Sequence, residues 1–290
     1  MRTLGLHNTP ATRSMLLKVG LLPVRDHYYE PQIDMRRPRL GYDQPRPLPG
    51  LDLNVNAQLA FLSSLTRAEE LVSLGWDKAD NGDFAIDNGS FTYGDAEFWY
   101  QFIRQVKPTN IIEIGSGNST KVAIQAIAAN AAEDPPNVCR LRCVEPYEQP
   151  WMESQGIEVA RCPVEELGHS FFECLRANDV LFIDSSHVIR PEGDVVYEFL
   201  QLLPMLPKGV YVHVHDIFTP RNYPAEWLCN EIRLWNEQYL LEAFLTNNSQ
   251  WEVTAGLNML SHEHFLNLKS VCPFIETDSE PRSFYLKKIA

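Results

Sequence analysis

From residue 91 onward the chain alternates between two hydrophobic periods. Short, almost wholly apolar runs at Asn110–Ile114, Val138–Val144, Ile157–Arg161, Asp179–Ile183 and Gly209–Val214 predict buried strands. Between them lie segments with apolar residues three to four apart, which predict helices. The first is Asp95–Val106, with Asp95 as its N-cap and Pro108 as its stop. The others are Ser119–Ala132, Gln149–Gln155, Asp194–Leu206 and one long amphipathic helix over Ala225–Phe244. Trp251–Thr254 and Ser283–Lys288 close the series as strands, with a helix near Met259–Val271 between them. Buried strands alternating with helices predict an α/β fold, doubly wound around a mostly parallel seven-stranded sheet with helices on both faces.

The first 90 residues follow another pattern. Pro23, Pro31, Pro38, Pro45, Pro47 and Pro49 rule out a long helix or a central strand there, because proline fixes φ and removes a donor. Tyr28, Tyr29, Tyr42 and scattered arginines suit an arm or cap packed on a larger body. Asn56–Leu74 is helical in period, and Asp80–Gly82 and Asn88-Gly89 read as turns. The predicted organisation is an arm over 1–90 and one larger domain over 91–290.

Composition narrows the function. The 290 residues carry a net charge of −13, which argues against an overall electrostatic grip on nucleic acid. The densest basic cluster, Arg36-Arg37-Pro38-Arg39, reads as a solvated loop. None of the six cysteines forms a Cys-x-x-Cys pair, so zinc-ribbon and thioredoxin chemistry lack support, and reduced thiols fit best. No apolar run reaches the ~20 residues of a membrane span, and no signal peptide is evident. A cytoplasmic protein is expected, with self-association into a homo-oligomer compatible.

The chemistry gathers at strand ends. Ile111-Ile112-Glu113-Ile114-Gly115-Ser116-Gly117-Asn118-Ser119-Thr120 is a buried strand, a glycine turn and a helix start. Glycines let the backbone approach a ligand, and ligands in open α/β sheets bind at the carboxyl ends of strands. A dinucleotide fingerprint would have a third glycine where Thr120 stands, so the NAD-dependent oxidoreductase alternative is weakened. The second strand ends in Glu145, suited to accept bonds from two ribose hydroxyls. The fourth ends Asp184-Ser185-Ser186-His187 and the fifth His213-Val214-His215-Asp216. A non-catalytic binding protein would have no need of that polar cluster. His213 is expected to pack within its strand.

Glu-x-Gly-x-Gly resembles motif I of class I S-adenosylmethionine-dependent methyltransferases. The resemblance covers about Phe91–Ala290 and implies that 91–290 binds S-adenosylmethionine. Glu113 would act on the cofactor's amino-acid end. Gly115, Ser116, Gly117, Ser119 and Thr120 would run along its methionine moiety, with Glu145 on the ribose, Val164 and Glu165 near the adenine, and Asp184 beside the cofactor. Asp-x-x-His followed by His-Asp is similar to the branch containing macrocin- and mycinamicin-type sugar O-methyltransferases. That likeness implies a sugar, glycan or natural-product acceptor, a divalent cation (Mg or Mn) on Asp184, His215 and Asp216, and His187 as general base. His215 departs from the branch, where a carboxylate is the usual ligand.

Overall fold

A computed structural model describes residues 9–21, 23, 41–77, 84–136, 138–147 and 149–290. The arginine cluster at 36–39, Tyr28, Tyr29, Pro31, Pro38 and the turn at 80–82 lie outside the described residues. The described chain forms two compact units.

The smaller unit comprises the described residues up to 44 together with residues 222–234. It contains helix α1 (Pro10–Lys18) and a π-helical turn at Glu226–Asn230. Arg233 lies over the Trp227 ring, 4.1 Å from its centroid. The long helix expected over Ala225–Phe244 is therefore not continuous: residues 231–236 are irregular, and a helix resumes only at Glu237.

The larger unit comprises residues 45–221 and 235–290, so the arm boundary expected at residue 90 falls inside it. Helices α2 (Val55–Ser64) and α3 (Ala68–Ser73) replace the single helix expected there. Leu62, Leu65 and Leu71 are buried in the same apolar cluster as the core helices, which ties 51–77 to this unit. Next come α4 (Asp95–Val106), β1 (Asn110–Ile114), α5 (Asn118–Glu133), β2 (Arg140–Val144), α6 (Trp151–Ser154), β3 (Glu158–Ala160) and β4 (Val180–Ile183). Then follow α7 (Asp194–Tyr197), a π-helical turn at Glu198–Leu202 and α8 (Leu203–Met205). The series ends with β5 (Tyr211–Val214), α9 (Glu237–Leu245), β6 (Trp251–Gly256), α10 (Leu257–Glu263), α11 (Phe265–Lys269) and β7 (Phe284–Lys288).

The strands form a seven-stranded sheet in the order β3-β2-β1-β4-β5-β7-β6, parallel except for β7. Side chains alternate between its faces. Ile111, Val180, Phe182 and Tyr211 join the apolar cluster with α4 and α5. Ile112, Leu181, Ile183, Val212 and Val214 join a second cluster with α9 and the helical run from Asp194. Helices thus cover both faces, as expected for the doubly wound class. Strand order reverses between β1 and β4, where Ile114 pairs with Ile183 and Ile183 with Val214. Three adjacent strands end at one level, which sets Gly115, Asp184 and His215 side by side.

Candidate active site

The turn after β1 is bound to its neighbours. The Gly115 amide donates to the Val144 carbonyl at 3.0 Å, and the Asp184 amide donates to the Ile114 carbonyl at 2.8 Å. Gly115 has φ +74, and a Cβ there would lie 1.9 Å from the Asp184 carbonyl oxygen. Only glycine fits. Glu113, one residue before Ile114, is fully buried beneath the turn. Its carboxylate accepts the Ser119 hydroxyl at 2.5 Å and the Thr120 hydroxyl at 2.6 Å, and the Gly117 amide donates to Thr120 Oγ1 at 2.9 Å. Burial pushes Glu113 up to about 7. Glu113 and Thr120 therefore brace the loop from behind, while Ser119 bonds Glu113 and also lines the cavity beside the loop. The Glu113 carboxylate thus bonds α5's first turn and lines neither of the two cavities beside the loop.

Two cavities flank the loop. One, of about 300 Å³, is lined by Ser90, Ser116, Gly117, Asn118 and Lys121. The other, of about 370 Å³, is lined by Tyr147, Pro163, Val164, Glu165, Ser185 and Arg190. Gly115, Glu145 and Asp184 line both. The Glu145 carboxylate accepts the Ser116 amide at 3.1 Å and the Tyr147 amide at 2.9 Å, which fixes it at the shared wall with further acceptor capacity. Sequence reasoning missed Ser90 and read Asn118 only as part of the Glu113–Thr120 loop. The Asn118 amide donates to Asn88 Oδ1 and to Ser90 Oγ, each at 3.0 Å, fastening the 88–90 turn across the start of α5. The Asn88-Gly89 turn signal was visible; its partner was not.

Beyond β4 and β5 lies a buried charged cluster. His187 and Asp216 both have positive φ, +60 and +58, an uncommon conformation for side-chain-bearing residues. His187 Nε2 lies 3.3 Å from Asp184 Oδ1 and 3.3 Å from Asp216 Oδ2. Its Nδ1 lies 2.8 Å from Glu237 Oε2. His215 Nδ1 lies 3.3 Å from Asp184 Oδ1, while its Nε2 is 3.6 Å from Asp95 Oδ2. Arg282 pairs with Asp216 at 2.7 Å. Burial disfavours charged imidazoles here, yet the carboxylates outweigh it. They hold His187 well above the usual histidine range and raise His215 to about 10. Asp184 lies below the usual carboxylate range because its two histidines outweigh its burial.

Among the described residues, Asp184, His187 and Asp216 offer donor atoms all within 4.8 Å of one another, a spacing that fits one divalent cation. His187 rather than His215 completes that trio, which alters the expected ligand set. His213 is fully buried and stacks on Tyr285 at 4.1 Å between centroids, within its strand as expected. Burial drives it well below the usual range and so neutral.

Two expectations change for local reasons. Asp95 is not the N-cap of α4; Gly94 is. Asp95 Oδ1 instead accepts the Arg282 and Ser283 amides at 2.9 and 2.8 Å, tying α4 to the entry of β7. Glu237 and Arg282, both touching the cluster, were not foreseen. Each comes from sequence far from the strand-end motifs.

A family model for a methyltransferase domain matches residues 112–217, the stretch from within β1 to just past β5. An uncharacterized protein of Archaeoglobus fulgidus is 25% identical over 174 residues, covering 56% of this chain and 77% of the relative. An O-methyltransferase from Bacillus cereus in complex with S-adenosylhomocysteine superposes with a TM-score of 0.40 at 11% identity, covering 80% of this chain and 91% of that one. A structure described as cmcI-D160 Mg-SAM gives 0.38 at 14% identity, covering 97% and 100%. A putative methyltransferase from Thermobifida fusca gives 0.37 at 14%, covering 87% and 99%. Residues 112–217 match a methyltransferase domain, and that stretch carries the braced glycine loop at the switch point of the sheet together with the Asp184 and Asp216 strand ends.

Proposed function

We propose that the protein methylates a hydroxyl of a sugar, glycan or natural product, with His187 taking the hydroxyl proton. The observation that carries this reading is the aim of His187 Nε2 into the Asp184–Asp216 pair beside the glycine loop. The paired cavities fit an elongated cofactor, with its amino-acid end by Ser90, Asn118 and Lys121, its ribose on Glu145, and its adenine by Pro163 and Val164. When bound, S-adenosylmethionine supplies an electrophilic sulfonium methyl. In that transfer His187 Nε2 would take the acceptor's hydroxyl proton, with Asp184 and Asp216 beside it. A hydroxyl is a poor nucleophile until that proton goes.

Asp184 and Asp216 would hold a divalent cation or the acceptor. A cation's contribution would be charge: with Asp184 and Asp216 neutralised, His187 would lose their share of the pull that keeps it protonated, while Glu237 would keep its own. The spacing of Asp184, His187 and Asp216 also supports a second reading, in which His187 is itself a ligand. Imidazole ligation would favour Mn²⁺ over Mg²⁺.

The test is methyl transfer to a panel of nucleotide sugars, glycans and phenols, in chelator and after add-back of single metals. Label on a hydroxyl acceptor supports the proposal, and transfer confined to nitrogen acceptors contradicts it. Equal turnover of His187→Ala and wild type would remove the base.

A further inference from the structure

Among the described residues, Glu237 is the one carboxylate that reaches the far side of the His187 ring. It begins α9, is fully buried, and places Oε2 2.8 Å from His187 Nδ1. The backbone locks the pair: the Asn236 and Glu237 amides donate to the His187 carbonyl at 3.0 and 3.2 Å. The Ile189 amide donates to Asn236 Oδ1 at 2.6 Å. Trp235 lies against the ring, 4.2 Å between centroids.

The opposite side of the ring poses a chemical problem. Nε2 faces Asp184 and Asp216, two acceptors at 3.3 Å, and a neutral imidazole has one N–H to place. Left to those two, the proton would sit on Nε2, and the nitrogen aimed at the reaction centre would have no lone pair. Glu237 offers a shorter contact and a carboxylate with a buried, otherwise unpartnered second oxygen. A carboxylate accepting from one imidazole nitrogen fixes the tautomer and leaves the other free.

We propose that Glu237 is a positioning residue that keeps the proton of neutral His187 on Nδ1, so that Nε2 presents its lone pair to the acceptor hydroxyl. The proposal rests on the reading of His187 as base. Glu237 touches neither cofactor nor acceptor; it acts through the imidazole.

The experiment is nitrogen NMR on full-length protein with ¹⁵N-labelled histidine, saturated with S-adenosylhomocysteine and titrated upward in pH until His187, held well above the usual histidine range, loses its first proton. His187→Gln assigns the signal. Wild type is expected to carry the proton on Nδ1. Glu237→Leu, of similar size without an acceptor, is expected to move it to Nε2. Glu237→Gln, which keeps an acceptor oxygen, is expected to restore Nδ1–H. With an acceptor in hand, Glu237→Leu should lower kcat by about 10²–10⁴, as loss of a general base does, with S-adenosylhomocysteine affinity unchanged. A purely structural Glu237 would change the melting temperature and leave the tautomer alone. A wild-type proton on Nε2 overturns the proposal even if Glu237→Leu fails to fold, as does a folded Glu237→Leu that keeps Nδ1–H. Normal turnover in His187→Ala alongside the expected tautomers would defeat the base and leave the positioning intact.

Discussion

Gly115 and Asp184 meet so closely that a β-carbon on the first would lie 1.9 Å from the carbonyl oxygen of the second. Their contact joins the ends of β1 and β4 at the switch point of the sheet and forms the floor shared by both cavities. Gly115→Ala therefore meets two penalties. Left-handed φ costs roughly 1–2 kcal/mol, and the clash adds about 1–3 kcal/mol of overpacking. Melting should fall, and any folded fraction should bind S-adenosylhomocysteine weakly by calorimetry. Wild-type stability with wild-type affinity would mean that the close approach is not required.

Glu145 stands at the wall common to the two cavities, its oxygens already receiving the Ser116 and Tyr147 amides. If its spare capacity serves ribose hydroxyls, Glu145→Ala should weaken S-adenosylhomocysteine binding by ~1.5–3 kcal/mol. Unchanged affinity in a folded variant would assign Glu145 to the loop alone.

Glu113 makes stability depend on pH. Burial lifts it from 4.5 to about 7, so over that interval the folded protein keeps a proton that the unfolded chain releases. Its contribution is full below 4.5 and is lost as pH rises through 7. Glu113→Gln, which carries no charge, should gain stability relative to wild type between about pH 5 and pH 8, by an amount on the order of 3 kcal/mol. Denaturant unfolding at the two pH values checks this; a difference independent of pH would contradict it.

The apolar clusters of the larger unit draw on described residues from Leu51 onward. A chain beginning at Pro45 should therefore fold and bind S-adenosylhomocysteine with near-normal affinity. Loss of the folded state on that truncation would show that residues 1–44 complete the core.

Much of this fold was legible because most strands are short stretches rich in apolar residues between clear breakers. Asn110–Ile114 matches residue for residue, and the parallel strands lie where their periods placed them. The helix expected over 225–244 was not legible. Its apolar spacing is helical, yet residues 226–230 form a π-helical turn and 231–236 leave the helix. That break is what starts α9 at Glu237. The glycine loop and the strand-end acids were visible as motifs, but the division of labour among them was not. Glu113 faces inward because side chains alternate along β1, and Asp95 is drawn off its capping role by the Arg282 and Ser283 amides. Which histidine joins Asp184 and Asp216 depends on the left-handed turn at His187, a backbone property that the letters do not display. The Glu237 contact spans 50 residues and has no local signature.

The most direct measurement is calorimetric titration of S-adenosylmethionine and S-adenosylhomocysteine into the folded wild-type protein, with NADH as the control. The account predicts saturable binding of both methyl-cycle ligands at one site per chain, weakened in Glu145→Ala and unaltered in His187→Ala, with no heat from NADH. Folded wild-type protein that binds NADH and neither of the other two would contradict it.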